Sequence, residues 1–143
     1  MIIDRIQQDI ADFIKADAFF KNIDIVTADK GTIDDDVGQA LAKLGLCVVV
    51  EMMTGKVDHE NVGAGAITMR PTLSVIETPL LNRTADGTGK RAEDVVEQLF
   101  LLFSPLRAGP GVAMGWEIIN DTGGRLAYQV ELKCNAGWEK KTT

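Results

Sequence analysis

From Asn82 to Val96 the chain reads "NRTADGTGKRAEDVV", with an apolar strand-like stretch before it and a helix-like stretch opening within it. Strand, glycine loop, lysine and helix is the order in which a phosphate-binding loop is built. Its backbone N–H groups and lysine ammonium surround the anion. That chemistry needs G-x-x-x-x-G-K followed by Ser or Thr. Aligned on Gly89-Lys90, Thr84 stands where the first glycine belongs and Arg91 where the magnesium-binding hydroxyl belongs. The motif also needs a parallel sheet, whereas the strand ahead of this loop is expected to have an antiparallel neighbour. The stretch therefore reads as a turn at Asp86-Gly87 and a helix N-cap at Thr88. Glu93 and Asp94 follow in the first turns, where the helix dipole favours acids.

Other reactive side chains are scattered. His59, the sole histidine, lies between Asp58 and Glu60 in a polar stretch read as a solvated loop, with no further ligands at metal-site spacing. Ser74 and Ser104 are the only serines, and neither sits in G-x-S-x-G. Cys47 has no electropositive surroundings in sequence to activate its thiol. Asp34 to Asp36 lack the spaced ligands and central glycine of a calcium loop, so they read as a helix cap or acidic corner. No cofactor, metal or enzymatic role is expected.

The chain has 143 residues, 45% of them hydrophobic and 25% charged, which suits one folded domain with a real core. A net charge of -6 argues against a general binder of nucleic-acid backbones. Cys47 and Cys134 each sit in an apolar strand-like run without C-x-x-C spacing, and are expected to be buried reduced thiols. No signal-peptide pattern or membrane-length apolar run is present, so synthesis and folding in a cytoplasm are expected.

The elements that must position these residues follow from periodicity. Ile3, Ile6, Ile10, Phe13 and Ile14 recur at helical spacing between polar residues, an amphipathic helix of about four turns. Ile23 to Thr27 read as a strand ending in a turn at Asp29 to Gly31. A short helix follows, capped by Asp34 or Asp35, with Val37, Ala40, Leu41 and Leu44 as its apolar face and Gly45 at its end. "LCVVVEMM" reads as a central strand covered on both sides. "ITMRPTLSVIETP" is a returning strand with a bulge or edge position expected at Pro71. A strong helix carries Ala92, Val95, Val96, Leu99, Leu102, Phe103 and Leu106. A hairpin around "DTGG" closes the fold, with Trp116 expected in the core and about 136–143 as a loose tail. The expected fold is α+β: a mostly antiparallel sheet of about four to five strands, with two long amphipathic helices on one face.

Long polar loops remain at Thr54 to Gly65, Thr78 to Thr88 and Ala108 to Gly115; loops of that length on a small sheet usually contact something. The layout resembles the tail-terminator and tail-completion (minor tail) proteins of tailed bacteriophages. The stretches that carry the resemblance are "IIDRIQQDIADFI", "LCVVVEM", "LSVIETPLLNRTADGTGKRAEDVVEQLFLLF" and the closing hairpin "GWEIINDTGGRLAYQVEL". It covers most of the chain in layout, on a motif of moderate specificity. It implies a virion structural protein of the tail or neck, made in the bacterial cytoplasm. Such a protein assembles with itself into a ring, usually hexameric, which caps the tail tube and joins it to a head-completion or connector protein. The ring lets DNA pass without specific binding. The resemblance further implies that Arg70, Asn82, Arg83, Asp86, Lys90 and Arg91 face a neighbouring subunit or the tail tube, setting register and partner choice. On that reading Arg83→Glu impairs tail joining without unfolding the monomer. A head–tail joining role shares the layout, and a small ligand-binding or regulatory α+β domain is the alternative from another class.

Overall fold

Leu46–Val50 (strand β2) is a run of five consecutive buried residues. Successive strand residues point to opposite faces, so such a run requires cover on both. The structure, a computed structural model, describes residues 2–28, 33–51, 54–61, 64–83, 89–120 and 124–139. Among these residues it supplies that cover with helices α1 (Ile2–Lys15), α2 (Ile33–Leu44), α3 (Pro79–Asn82) and α4 (Ala92–Leu102). The other strands are β1 (Asp24–Thr27), β3 (Thr54–Asn61), β4 (Ala64–Arg70), β5 (Thr72–Glu77), β6 (Val112–Asn120) and β7 (Leu126–Glu139). The fold is α+β around a mixed sheet of seven strands ordered β1-β2-β5-β7-β4-β3, with β6 on β7.

The two faces of β2 meet different helices. Leu46, Val48 and Val50 join Ile10 and Ile14 of α1 and Val95 and Leu99 of α4 in the main core, with Leu73, Val75, Val130 and Leu132. Phe13 and Phe103, rings 5.4 Å apart, tie α1 to the end of α4. Cys47 and Val49 point the other way, onto Ala40 and Leu41 of α2. The apolar stripes of α1 and α4 thus cover one face as expected, while α2 covers part of the opposite face. The α2 crossover makes β1 and β2 a parallel pair, with Ile25 opposite Val48.

Several sequence expectations are corrected. The polar stretch from Thr54 is a strand pair: β3 and β4 form an antiparallel hairpin that puts His59 in a strand, and this hairpin accounts for most of the extra strand count. β6 begins inside the loop expected to run to Gly115. β7 runs on to Glu139 because Gly65 and Ala64 pair with Trp138 and Glu139, so residues 136–139 are strand and not loose tail. Pro71 lies at no edge, and on the side away from β7 the register shifts by one residue past it, from Val50 opposite Leu73 to Thr54 opposite Arg70. Register across β7 is unbroken, with Met69 opposite Cys134 and Thr72 opposite Glu131. Leu132 donates to the Pro71 carbonyl at 2.8 Å, and only the reciprocal bond, which needs an N–H, is lost. Asp34 and Asp35 lie inside α2, which starts at Ile33. α4 ends at Leu102, leaving Leu106 96% exposed and off the apolar face. The turns at Asp29 to Gly31 and at Asp86-Gly87, the Thr88 cap, most of "DTGG" and the side chain of Trp138 lie outside the described residues.

Cys47 and Cys134 are both buried and free, as expected, and they sit in the clusters on opposite faces of the sheet. Burial, then Asp24, pushes the Cys47 thiol up to about 12, with Arg125 opposing, and burial pushes Cys134 up to about 11. The folded state therefore holds both protons more tightly than the unfolded chain. This contribution to stability is whole below the ordinary thiol value of 9.0 and is lost as pH rises through 11 to 12. Native protein at pH 8 should resist thiol labelling until unfolded. The denaturation midpoint should fall above pH 9, and less steeply in a Cys47→Ala/Cys134→Ala chain; rapid native labelling at pH 8 would contradict this assignment.

Candidate functional site

β5 alternates Leu73, Val75 and Glu77 onto the helix-covered face, so its last residue places a carboxylate in the core with no exposed surface. A buried carboxylate is tolerated only with hydrogen-bonded or charged partners. The single turn of α3, begun by Pro79, brings them back. Asn82 Nδ2 donates to Glu77 Oε2 at 2.5 Å and to the Lys90 carbonyl at 2.6 Å. Arg83 reaches Glu77 Oε1 at 3.0 Å and also lies 3.7 Å from Glu93. The Tyr128 hydroxyl donates to Glu93 at 3.1 Å. Hydrogen bonding to Glu77 raises the Arg83 guanidinium above its ordinary value; burial, then the bond to Glu93, raises the Tyr128 hydroxyl. The Lys90 ammonium donates to the Phe19 carbonyl and lies 4.4 Å from the centre of the Phe19 ring. The quoted loop is therefore drawn inward at both ends, onto β5 and onto the turn after α1.

The sequence candidates separate on this geometry. Asn82, Arg83 and Lys90 come together, each with an internal partner. Arg91 occupies the N-cap of α4, where its backbone N–H donates to Asp94 Oδ2 at 2.9 Å, so an acid reaching back caps the helix. Asp86 lies outside the described residues. Arg70 is far from this group in the sheet: it pairs with Glu131 at 2.8 Å, with both side chains about half exposed. It lines an open groove of about 410 Å³ on the face that α2 leaves bare, with Glu117 and Gln129.

The strand expected ahead of "DTGG" is β6, and the main feature missed from sequence is that its apolar face is exposed. Among the described residues it pairs with no strand but β7, and on its other side the Ala113 N–H donates to the Phe103 carbonyl at 2.9 Å. Met114, Trp116, Ile118 and Ile119 are 56%, 54%, 56% and 52% exposed, and Trp116 is thus not core. Its ring centre lies 6.0 Å from that of Tyr128, the two planes tilted by 46°. Met114 borders an open groove of about 300 Å³ with Phe100, Phe103 and Pro105 at the end of α4. The alternation Met114, Trp116, Ile118 was visible and correctly marks an apolar face. What covers that face depends on where α4 lies across the sheet, over β5 and β7, which the alternation does not encode.

Among the described residues no group of three or more His, Cys, Asp or Glu could hold a metal ion, and no helix is long and apolar enough to cross a membrane. No protein-family model matches the chain, and no curated protein matches it either.

Proposed function

We propose that this chain is a structural subunit that assembles with itself into a ring, serving as a tail-terminator or tail-completion protein of a tailed-phage virion. The observation that carries self-assembly is the exposed apolar row on the edge strand β6. An exposed edge with contiguous apolar side chains is a liability in a lone subunit and an interface in an assembled one. The assignment to a phage tail rests on the resemblance in layout, and on a net charge of -6 that suits a wall past which DNA must slide. Of the residues first expected at an interface, Arg70 lines an open groove, paired with the half-exposed Glu131. Asn82, Arg83 and Lys90 act on this reading by fixing the loop that follows β5.

The test is to add purified protein to uncapped tail tubes and count capped ends by negative stain. Capping should be saturable and should require Trp116. Trp116→Ser removes a large aromatic from the exposed row and is expected to weaken assembly by about 30-fold or more, as for an interface hot spot. The melting temperature of the monomer should change little, because the side chain is half exposed. Uncapped tubes at saturating protein, or capping unaffected by Trp116→Ser, would overturn the proposal.

A further inference from the structure

The sheet has free edges at both ends, and their chemistry matches. Among the described residues β6 closes one end, and β3, paired only with β4, closes the other at the level of the hairpin. On β3, Val57 is 53% exposed and Lys56 is exposed beside it. Val57 lies opposite Ile67, which packs on the main core, so Val57 belongs to the helix-covered face and Lys56 to the bare one. On β6, Trp116 and Ile118 lie opposite the core residues Val130 and Tyr128, and Glu117 lies on the bare face opposite Gln129. Each edge thus offers an apolar group on one face and, beside it on the other, a charge, Lys56 on β3 and Glu117 on β6, of opposite sign.

Strand direction agrees. β6 and β4 both run antiparallel to β7, and β3 runs antiparallel to β4. A copy added sideways in the same orientation therefore sets its β3 antiparallel to the first copy's β6. We infer that β6 of one subunit pairs with β3 of the next, with Glu117 opposite Lys56, Trp116 opposite Val57 and Ile118 over Gly55. This rests on the self-assembly reading above and names its contact. The pairing is head-to-tail, the kind that generates a closed ring or an open filament.

The register also states how each copy is displaced. Lys56 lies opposite Thr68, which lies opposite Asn135, whereas Glu117 lies opposite Gln129. Bringing Lys56 against Glu117 steps each copy along the strand axis by the six residues that separate Asn135 from Gln129, roughly 20 Å at about 3.3 Å per residue. The step is taken over four strands, β6, β7, β4 and β3, about 19 Å wide at about 4.8 Å each. The resulting tilt is about 45°, at the upper end of the range at which sheets close on themselves. The β1 edge fits less well, since the charged residue of that strand is the partly buried Asp24, of the same sign as Glu117.

The test uses two single substitutions of the full chain, Lys56→Cys and Glu117→Cys, both native thiols being buried. Under mild oxidation each variant alone should give no dimer through these positions, and the equimolar mixture should give a disulfide-linked pair. Separately, Lys56→Glu or Glu117→Lys should each weaken assembly about fivefold, and the double exchange should restore it. Assembly without cross-linking and without rescue overturns this pairing and leaves self-assembly standing. Disulfide-linked pairs together with open filaments in place of a discrete ring support the pairing and overturn the ring. Absence of both assembly and cross-linking at high concentration overturns both.

Discussion

Arg83→Glu is expected to lower the stability of the isolated subunit by about 3 kcal/mol, or roughly 10 °C in melting temperature. Glu77 is fully buried, and Arg83 is its charged partner at 3.0 Å. Reversal removes that partner and sets a second carboxylate against Glu77, with Glu93 close by. Removing one member of a buried pair costs about 3–5 kcal/mol; the lower figure applies because Arg83 is one-third exposed. The sequence reading, in which this reversal spares the monomer, gives way to a structural role for the residue. Replacing both members by apolar groups, Glu77→Leu with Arg83→Met, should recover much of the loss, since neither charge is then buried alone. Urea unfolding of the three chains decides it: a loss below about 1 kcal/mol for Arg83→Glu would mean that the pair contributes nothing to the fold.

Gly45→Ala is the second large effect, at about 3 kcal/mol. Gly45 ends α2 with φ +77°, and its N–H bonds to the Leu41 carbonyl at 2.9 Å, the left-handed helix ending that glycine adopts freely. A side chain there costs about 1–2 kcal/mol in backbone strain alone. Its Cβ would also stand 2.8 Å from the Asn82 nitrogen and 2.9 Å from the Thr78 carbonyl, both backbone atoms. Gly45 further accepts a 2.7 Å bond from the Thr78 N–H, so the substitution pushes α2 away from the α3 turn that delivers Asn82 and Arg83. Gly89→Ala is the control: its φ is +73° but its Cβ would meet nothing within 4 Å among the described residues, so it should show the backbone strain without the clash. Equal losses from the two substitutions would show that the close approach at Gly45 is unimportant.

Legibility in the sequence followed how local the determinant was. The stripe Ile6, Ile10, Ile14 specified α1 because one helix face was enough to state it, and the unbroken run at Leu46–Val50 specified a doubly covered strand for the same reason. β3 escaped because its residues "TGKVDHEN" pair only along one edge and are not required to alternate. Asn82, Arg83 and Lys90 were marked as important from their loop, but their partners could not be. Glu77 becomes a partner only after α3 folds the chain back, and Phe19 lies 71 residues from Lys90. Trp116 is expected inside as a large aromatic at a strand start, but α4 lies beside β6 from Glu93, at Tyr128, to Phe103, at Ala113, and leaves the outer strand uncovered.

The measurement that bears most directly on the account is mass in solution by light scattering across a wide concentration range, repeated with tail tubes present. The account predicts a discrete species of about six copies, about 93 kDa from a chain of 15.5 kDa, that dissociates on dilution and is lost in Trp116→Ser. A single-chain mass at every concentration, unchanged by tail tubes, would contradict it.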